Sequence, residues 1–254
     1  MDFDLGGRVV LVTGGVRGVG AGISEVFARQ GAVVVTCARR AVDGLPYEFH
    51  SCDVRDAEAV GAMVDAIVQK HGRLDVVVNN AGGSPYALAA EASARFHQKV
   101  IELNLIGMLN VSLAANAVMQ IQDTGGSIVS ISSVSGRRPS PGTAAYGAAK
   151  AGVDSLTATL AVEWAPKVRV NAVVAGMVAT EQAELFYGDS DSQVAVAATV
   201  PLGRLARPDD IGWAVAFLAS DAASYISGAT LPVHGGGEPP PFLSASSANT
   251  KETR

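Results

Sequence analysis

Tyr146 and Lys150 stand four residues apart in the stretch Tyr146-Gly-Ala-Ala-Lys150. On a helix that interval stacks both side chains on one face. A phenol is a poor base near neutrality because its ordinary pKa is about 10. Bringing it to ~7 takes about 4 kcal/mol of preferential stabilisation of the phenolate, at ~1.4 kcal/mol per pKa unit. An ammonium ~4 Å away, at an effective dielectric of ~20, supplies about that much. The pair can therefore trade a proton with a substrate oxygen. The alternative is a surface Tyr and a surface Lys that share a helix face by chance, so the pair draws its force from what surrounds it.

The first surrounding feature is a glycine loop. Residues 8–13 read as a buried strand, a short β-branched run that ends in Gly14-Gly15-Val16-Arg17-Gly18-Val19-Gly20. A helical pattern follows from about Gly18 to Gln30, with Ile23, Val26 and Phe27 on one stripe and Gly31 at its end. Residues 32–37 form a second strand. Glycines between a strand and a helix let the backbone approach a pyrophosphate, and the helix N-terminus adds bare N–H groups and a positive dipole end. An ordinary strand-to-helix turn is the bland alternative.

Composition narrows the classes. The 254 residues are 48% hydrophobic and 17% charged, with 28 glycines, which fits a sheet covered by helices. A net charge of −5 argues against nucleic acid as a partner, because phosphate backbones call for a basic surface. Two cysteines, Cys37 and Cys52, make no disulfide framework and suit a reducing, cytoplasmic setting. No apolar stretch runs long enough without polar interruption to suggest a membrane span. The four histidines lack ligand-like spacing, so no metal site is read.

Thr13-Gly14-x-x-x-Gly18-x-Gly20, Asn79-Asn80-Ala81-Gly82, Ser133 and Tyr146-x-x-x-Lys150, in this order, resemble the short-chain dehydrogenase/reductase family in its one-domain form. The resemblance runs from about residue 5 to residue 237. It implies an α/β, doubly wound Rossmann-type domain with a mostly parallel, seven-stranded sheet over 1–237, followed by a Pro-, Ser- and Thr-rich tail over 238–254 expected to be mobile. It also implies a homotetramer and a nicotinamide-dependent oxidoreductase that interconverts a secondary alcohol and a carbonyl. Tyr146 would be the acid/base, Ser133 would orient the substrate oxygen, and Lys150 would lower the Tyr146 pKa and bind the nicotinamide ribose. Asn104 would hold a relay water linked to Lys150. Gly14, Val16, Arg17, Gly18, Val19 and Gly20 would seat the dinucleotide, with Asp53 and Val54 at the adenine and Asn80, Ala81 and Gly82 near the ribose. Gly176, Val178 and Thr180 would fix the nicotinamide, although Ala175 stands where the family usually has proline and loosens that loop.

The tip of the second strand chooses the cofactor. An acidic residue there binds the ribose 2′-hydroxyl of NAD, whereas arginine accommodates a 2′-phosphate. Here the tip reads Cys37-Ala38-Arg39-Arg40, with Arg17 aimed at the same corner. The expectation is NADP(H) over NAD(H), with stacking on adenine or exposure to solvent as the alternative for the two arginines. Residues 83–92 are placed at the pocket rim. A long helix is expected over 93–122, broken near Asn104. Residues 181–200 read as a mixed, loop-like lid that offers Leu185, Phe186 and Tyr187 to a bulky apolar substrate, such as a steroid-like or acyl compound. Arg137 and Arg138 read as a solvent-facing pair, or as cations for an anionic portion of the substrate. A non-catalytic dinucleotide sensor is the competing class, opposed by the joint presence of Ser133, Tyr146 and Lys150.

Overall fold

The computed structural model describes residues 3–246. Valine-rich runs build the centre. β1 (Val9–Thr13) and β4 (Val76–Asn79) are buried along their whole length, as expected of strands covered on both faces. With β2 (Val33–Ala38), β3 (Glu48–Ser51), β5 (Gly126–Ser133), β6 (Val168–Ala175) and β7 (Thr230–Val233) they form one seven-stranded sheet in the order β3-β2-β1-β4-β5-β6-β7. All six pairings are parallel, so the sheet is more uniform than the mostly parallel one expected.

Helices cover both faces. α1 (Gly18–Arg29) and α8 (Pro208–Ala219) lie on one side, where Ile23, Val26, Phe27, Ile211 and Val215 pack with Val10, Val12 and Val78. α2 (Ala57–His71), α4 (Gly107–Ile121) and α5 (Ala144–Glu163) cover the other, with Val60, Ile67, Val111 and Leu160 against Leu11, Val77 and Ile128. Helix ends follow local chemistry. Asp56 caps α2 by accepting from the N–H groups of Glu58 and Ala59 at 3.1 Å each, and Gly72 closes it at φ +76°.

The long helix after residue 93 breaks where Asn104 stands. α3 (Ala94–Ile101) passes through a π-helical turn (Glu102–Ile106) into α4. By length and composition the run Ala94–Ile121 is apolar enough to cross a membrane. It instead lies on the sheet, with Val100, Met108, Val111, Ala115 and Met119 buried. Residues 181–200 are more ordered than a loop, forming α6 (Ala183–Tyr187) and α7 (Ser190–Ala198). The segment after 237 begins with an anchored residue, since Glu238 pairs with Arg138 at 2.7 Å, and Pro241–Ala245 form the short helix α9. The expectation of a mobile tail is left with residues 247–254, which lie outside the described residues.

Two glycines let α1 and α8 meet. A Cβ on Gly22 would lie 2.3 Å from Pro208 Cβ, and one on Gly212 would lie 3.0 Å from the Gly22 carbonyl oxygen. In an isolated helix, Gly→Ala gains up to about 1 kcal/mol. At this contact overpacking costs about 1–3 kcal/mol. Gly22→Ala should therefore lower the thermal midpoint by about 3–10 °C, read by calorimetry. An unchanged or raised midpoint would mean that the helices re-space freely.

Candidate active site

The strand order reverses between β1 and β4, and open parallel sheets bind ligands in the crevice outside such a point. A cavity of about 910 Å³ opens there, walled by the loops after β1, β2, β4, β5 and β6. Gly14 turns the chain at φ +64°. A Cβ on Gly20 would lie 2.2 Å from the Gly14 carbonyl oxygen and 2.5 Å from Asn80 Nδ2, so only glycine allows this approach. Arg17, the N-cap of α1, makes no capping hydrogen bond through its side chain. The first residues of α1, Gly18, Val19 and Gly20, line the cavity at the positive end of the helix dipole, where Glu181 accepts from the Gly18 N–H.

The loops after β1 and β4 are tied together. Thr13 Oγ1 accepts from the N–H groups of Asn80 and Ala81 at 3.0 Å each, and Asn80 Nδ2 donates to the Thr13 carbonyl at 2.9 Å. Asn79 braces the centre through Ser112 Oγ at 2.8 Å.

Gly14, Val16, Arg17, Gly18, Val19, Gly20, Arg39, Arg40, Asp53, Val54, Asn80, Ala81, Gly82, Gly176, Val178 and Thr180 all line this one cavity, as do Ser133 and Tyr146. Lys150 and Asn104 stand behind its wall. The Lys150 side chain is buried and donates from Nζ to the Ile131 carbonyl at 2.7 Å, with Nζ 5.5 Å from the centre of the Tyr146 ring. Asn104 spends its amide on the backbone. It donates to the carbonyls of Val100 and Gly83 at 2.9 Å and accepts from the Gly83 N–H at 2.8 Å. A Cβ on Gly82 would lie 2.6 Å from Asn104 Oδ1 and 3.6 Å from Lys150 Nζ, so the two groups flank that glycine. Asp53 is held by the Arg55 guanidinium at 2.5 Å, which keeps its carboxyl below the usual range.

Burial is the largest influence on both groups of the expected pair. It pushes the Tyr146 phenol up, with the Ser133 side chain opposing it, and lowers Lys150 from 10.5 to about 8, against the pull of Asp154. Spacing alone gives the attraction between two groups, but not the cost of taking both out of water. Ser133 Oγ accepts from the Ser135 N–H at 3.1 Å. Ser132 is turned away and donates to the Lys150 carbonyl at 3.3 Å.

Three contributors were not foreseen. Thr13 supplies the lock between loops. Asp154 follows Lys150 by one more helical turn, and the i,i+4 count that paired Tyr146 with Lys150 would have found it. Glu181 reaches across to the glycine loop, where its Oε2 accepts from the Gly18 N–H at 3.2 Å. Tyr187 was expected only as apolar surface. Burial pushes its phenol up, against the pull of the Val178 backbone and the Arg138 charge. Cys37 also lines the cavity, but burial raises its thiol to about 12, so it is no nucleophile.

A family profile described as Enoyl-(Acyl carrier protein) reductase matches residues 14–238. The 3-oxoacyl-[acyl-carrier-protein] reductase FabG of Thermotoga maritima is 35% identical over 244 residues, 91% of this chain and 98% of that protein. The cis-4-hydroxycyclohexanecarboxylate dehydrogenase of Sinomonas cyclohexanicum is 39% identical over 244 residues, 90% of this chain and 96% of that protein. Among solved structures, the ligand-free aldohexose dehydrogenase of Thermoplasma acidophilum superposes with a TM-score of 0.88 at 33% identity, covering 93% of this chain and 96% of that one. The glycine cradle, the switch-point cavity and the Ser133–Tyr146 contact thus sit in a chain that belongs to the short-chain dehydrogenase/reductase family, the NAD(P)-dependent oxidoreductases that interconvert alcohols and carbonyls.

Proposed function

We propose that this enzyme uses Tyr146 as the acid/base on a substrate oxygen held by Ser133, with NADP(H) as the preferred cofactor. The observation that carries the reading is that Ser133 and Tyr146 line one end of a cavity whose other end is the glycine loop. The cavity fits a dinucleotide. Its cradle excludes any Cβ at Gly20, the N-terminus of α1 suits a pyrophosphate once Glu181 yields the Gly18 N–H, and Arg17, Arg39 and Arg40 line the same cavity.

When bound, the nicotinamide supplies or accepts the hydride. The chain supplies placement and the proton. In reduction, Tyr146 donates its proton to the oxygen of the carbonyl as negative charge develops there. The Ser133 hydroxyl, oriented by the Ser135 N–H, donates to the same oxygen. In oxidation, the phenolate takes the proton back. Lys150 would hold the nicotinamide ribose and, once turned toward the cavity, stabilise the phenolate. Asn104, locked by Gly83 and Val100, would place a water beside Lys150. Val178 and Thr180 would hold the carboxamide, and Asp53 and Val54 would flank the adenine.

Arg39, Arg40 and Arg17 support NADP(H), because planar guanidinium groups match a 2′-phosphate and no acid at the strand tip opposes it. The relatives are named for a 3-oxoacyl carrier-protein compound, a hydroxycyclohexanecarboxylate and an aldohexose. The exposed Leu185 and Phe186 on α6 support a substrate with apolar bulk. The buried free thiols Cys37 and Cys52 suit a reducing cytoplasm, and Leu113, Ile121 and Val162, exposed on α4 and α5, suit burial in a tetramer.

Tyr146→Phe should keep cofactor affinity and lower kcat by about 10²–10⁴-fold, the range for loss of a general acid. Ordinary turnover in that variant would refute the assignment. Arg39→Ala should weaken NADP(H) by about 10–100-fold, as expected for a charged hydrogen bond, and leave NAD(H) nearly unchanged. An equal effect on both cofactors would count against the 2′-phosphate reading. Glu181 holds the Gly18 N–H that a cofactor phosphate needs, so Glu181→Gln should tighten reduced-cofactor binding about two- to fivefold in a fluorescence titration. Unchanged or weaker binding would show that Glu181 does not compete.

A further inference from the structure

Arg137 and Arg138 are adjacent in sequence but do different work. Arg137 turns onto Asp154, with Nε 3.1 Å from Oδ2, and onto the Thr230 hydroxyl, which ties it to the scaffold. Arg138 lines the cavity that holds Ser133 and Tyr146. Among the described residues, the other cations that line it are Arg17, Arg39 and Arg40, all at the glycine-loop end. Arg138 is thus the cation of the substrate end.

That guanidinium already binds a carboxylate by its fork. Nε lies 2.7 Å from Glu238 Oε2, and Nη2 donates to Oε1 at 2.8 Å. The two side chains are 39% and 35% exposed, so solvent reaches the pair. Exposed ion pairs contribute little to stability, so a competing carboxylate can displace such a partner. Glu238 also follows Gly235, Gly236 and Gly237, at φ +67°, +98° and +88°, residues with little steric restriction on moving it aside. Arg138, Tyr187 and Tyr146 line the same cavity, which places the cation and the candidate acid/base on one space.

We propose that Arg138 determines substrate specificity, and that the substrate is a hydroxy- or oxo-carboxylate whose carboxylate replaces Glu238 on the Arg138 guanidinium while its hydroxyl or carbonyl lies at Tyr146. This names the substrate class for the site described above and rests on that placement of the reacting oxygen. A planar guanidinium binds a carboxylate through two parallel hydrogen bonds, whereas an amide or ester of the same shape offers no charge to it. A neutral substrate leaves the Arg138–Glu238 pair in place and gains nothing from it.

The test reads binding apart from turnover. Protein loaded with oxidised cofactor cannot reduce a ketone, so it is titrated calorimetrically with 3-oxobutanoate, 4-oxopentanoate and 6-oxoheptanoate, each beside its primary amide. At least one acid should bind about tenfold or more tightly than its amide, the scale of one charge-assisted fork. Arg138→Gln should abolish that difference, and Arg138→Lys should keep part of it. Glu238→Gln should tighten the acid and leave the amide unchanged. Tyr146→Phe should retain the acid preference, which separates this proposal from the proton-transfer assignment. Binding of no acid, equal binding of acids and amides, or an acid preference that survives Arg138→Gln would overturn it.

Discussion

A single hydroxyl oxygen fixes the mouth of the sheet. Thr13 Oγ1 takes the N–H groups of Asn80 and Ala81, donates to the Val78 carbonyl at 3.3 Å, and is buried. Parallel topology guarantees a crevice where the strand order reverses, because the neighbouring connections leave to opposite faces. Topology does not set the width of that crevice. The Thr13 hydroxyl does so by making the β1 and β4 turns one body, with Asn80 Nδ2 closing the ring on the carbonyls of Thr13 and Gly14. Each buried polar group left without a partner would cost about 1–3 kcal/mol, so the turns have little freedom to drift apart. The glycine cradle, the N-terminus of α1 and the floor near Gly82 all take their positions from this lock.

Burial outweighs the local charges at the candidate proton-transfer pair. It takes Lys150 from 10.5 to about 8 and pushes the Tyr146 phenol up, so both groups are driven toward their neutral forms. Asp154 pulls the other way on the ammonium, and the Ser133 side chain does so on the phenol. The Ile131 carbonyl accepts from Nζ at 2.7 Å behind the cavity wall, with Nζ 5.5 Å from the centre of the Tyr146 ring.

Much of this was legible in the sequence. The alternation of valine runs with amphipathic stretches gives the doubly wound sheet, because a strand buried on both faces has few other ways to read. Asp56 and Gly72 mark their helix by local chemistry. Asn104, a polar residue in an apolar helix stretch, signals the break in that helix. What could not be read depends on distance in space. Gly22 meets Pro208 far along the chain, and no periodicity reports that contact. Arg137 and Arg138 look alike until the Val134–Gly136 turn sends one onto Asp154 and the other into the cavity. The burial of Tyr146 and Lys150 was not legible either, because spacing carries charge but not solvent exclusion.

The segment after β6 carries residues of both ends of the cavity. Val178 sits in a short bridge with Ala206 whose hydrogen bonds use Met177 and Ala179. Three residues further on, Glu181 takes the Gly18 N–H at 3.2 Å, so the turn that opens α1 is joined to the turn that follows β6. α6 comes next, seated by the buried Ala183, and it carries the exposed Leu185 and Phe186. A parallel sheet delivers these two turns from strands that are not neighbours, β1 and β6, so nothing in the strand pairing brings them together. The carboxylate of one residue does so, and the position of one end of the crevice thereby constrains the other.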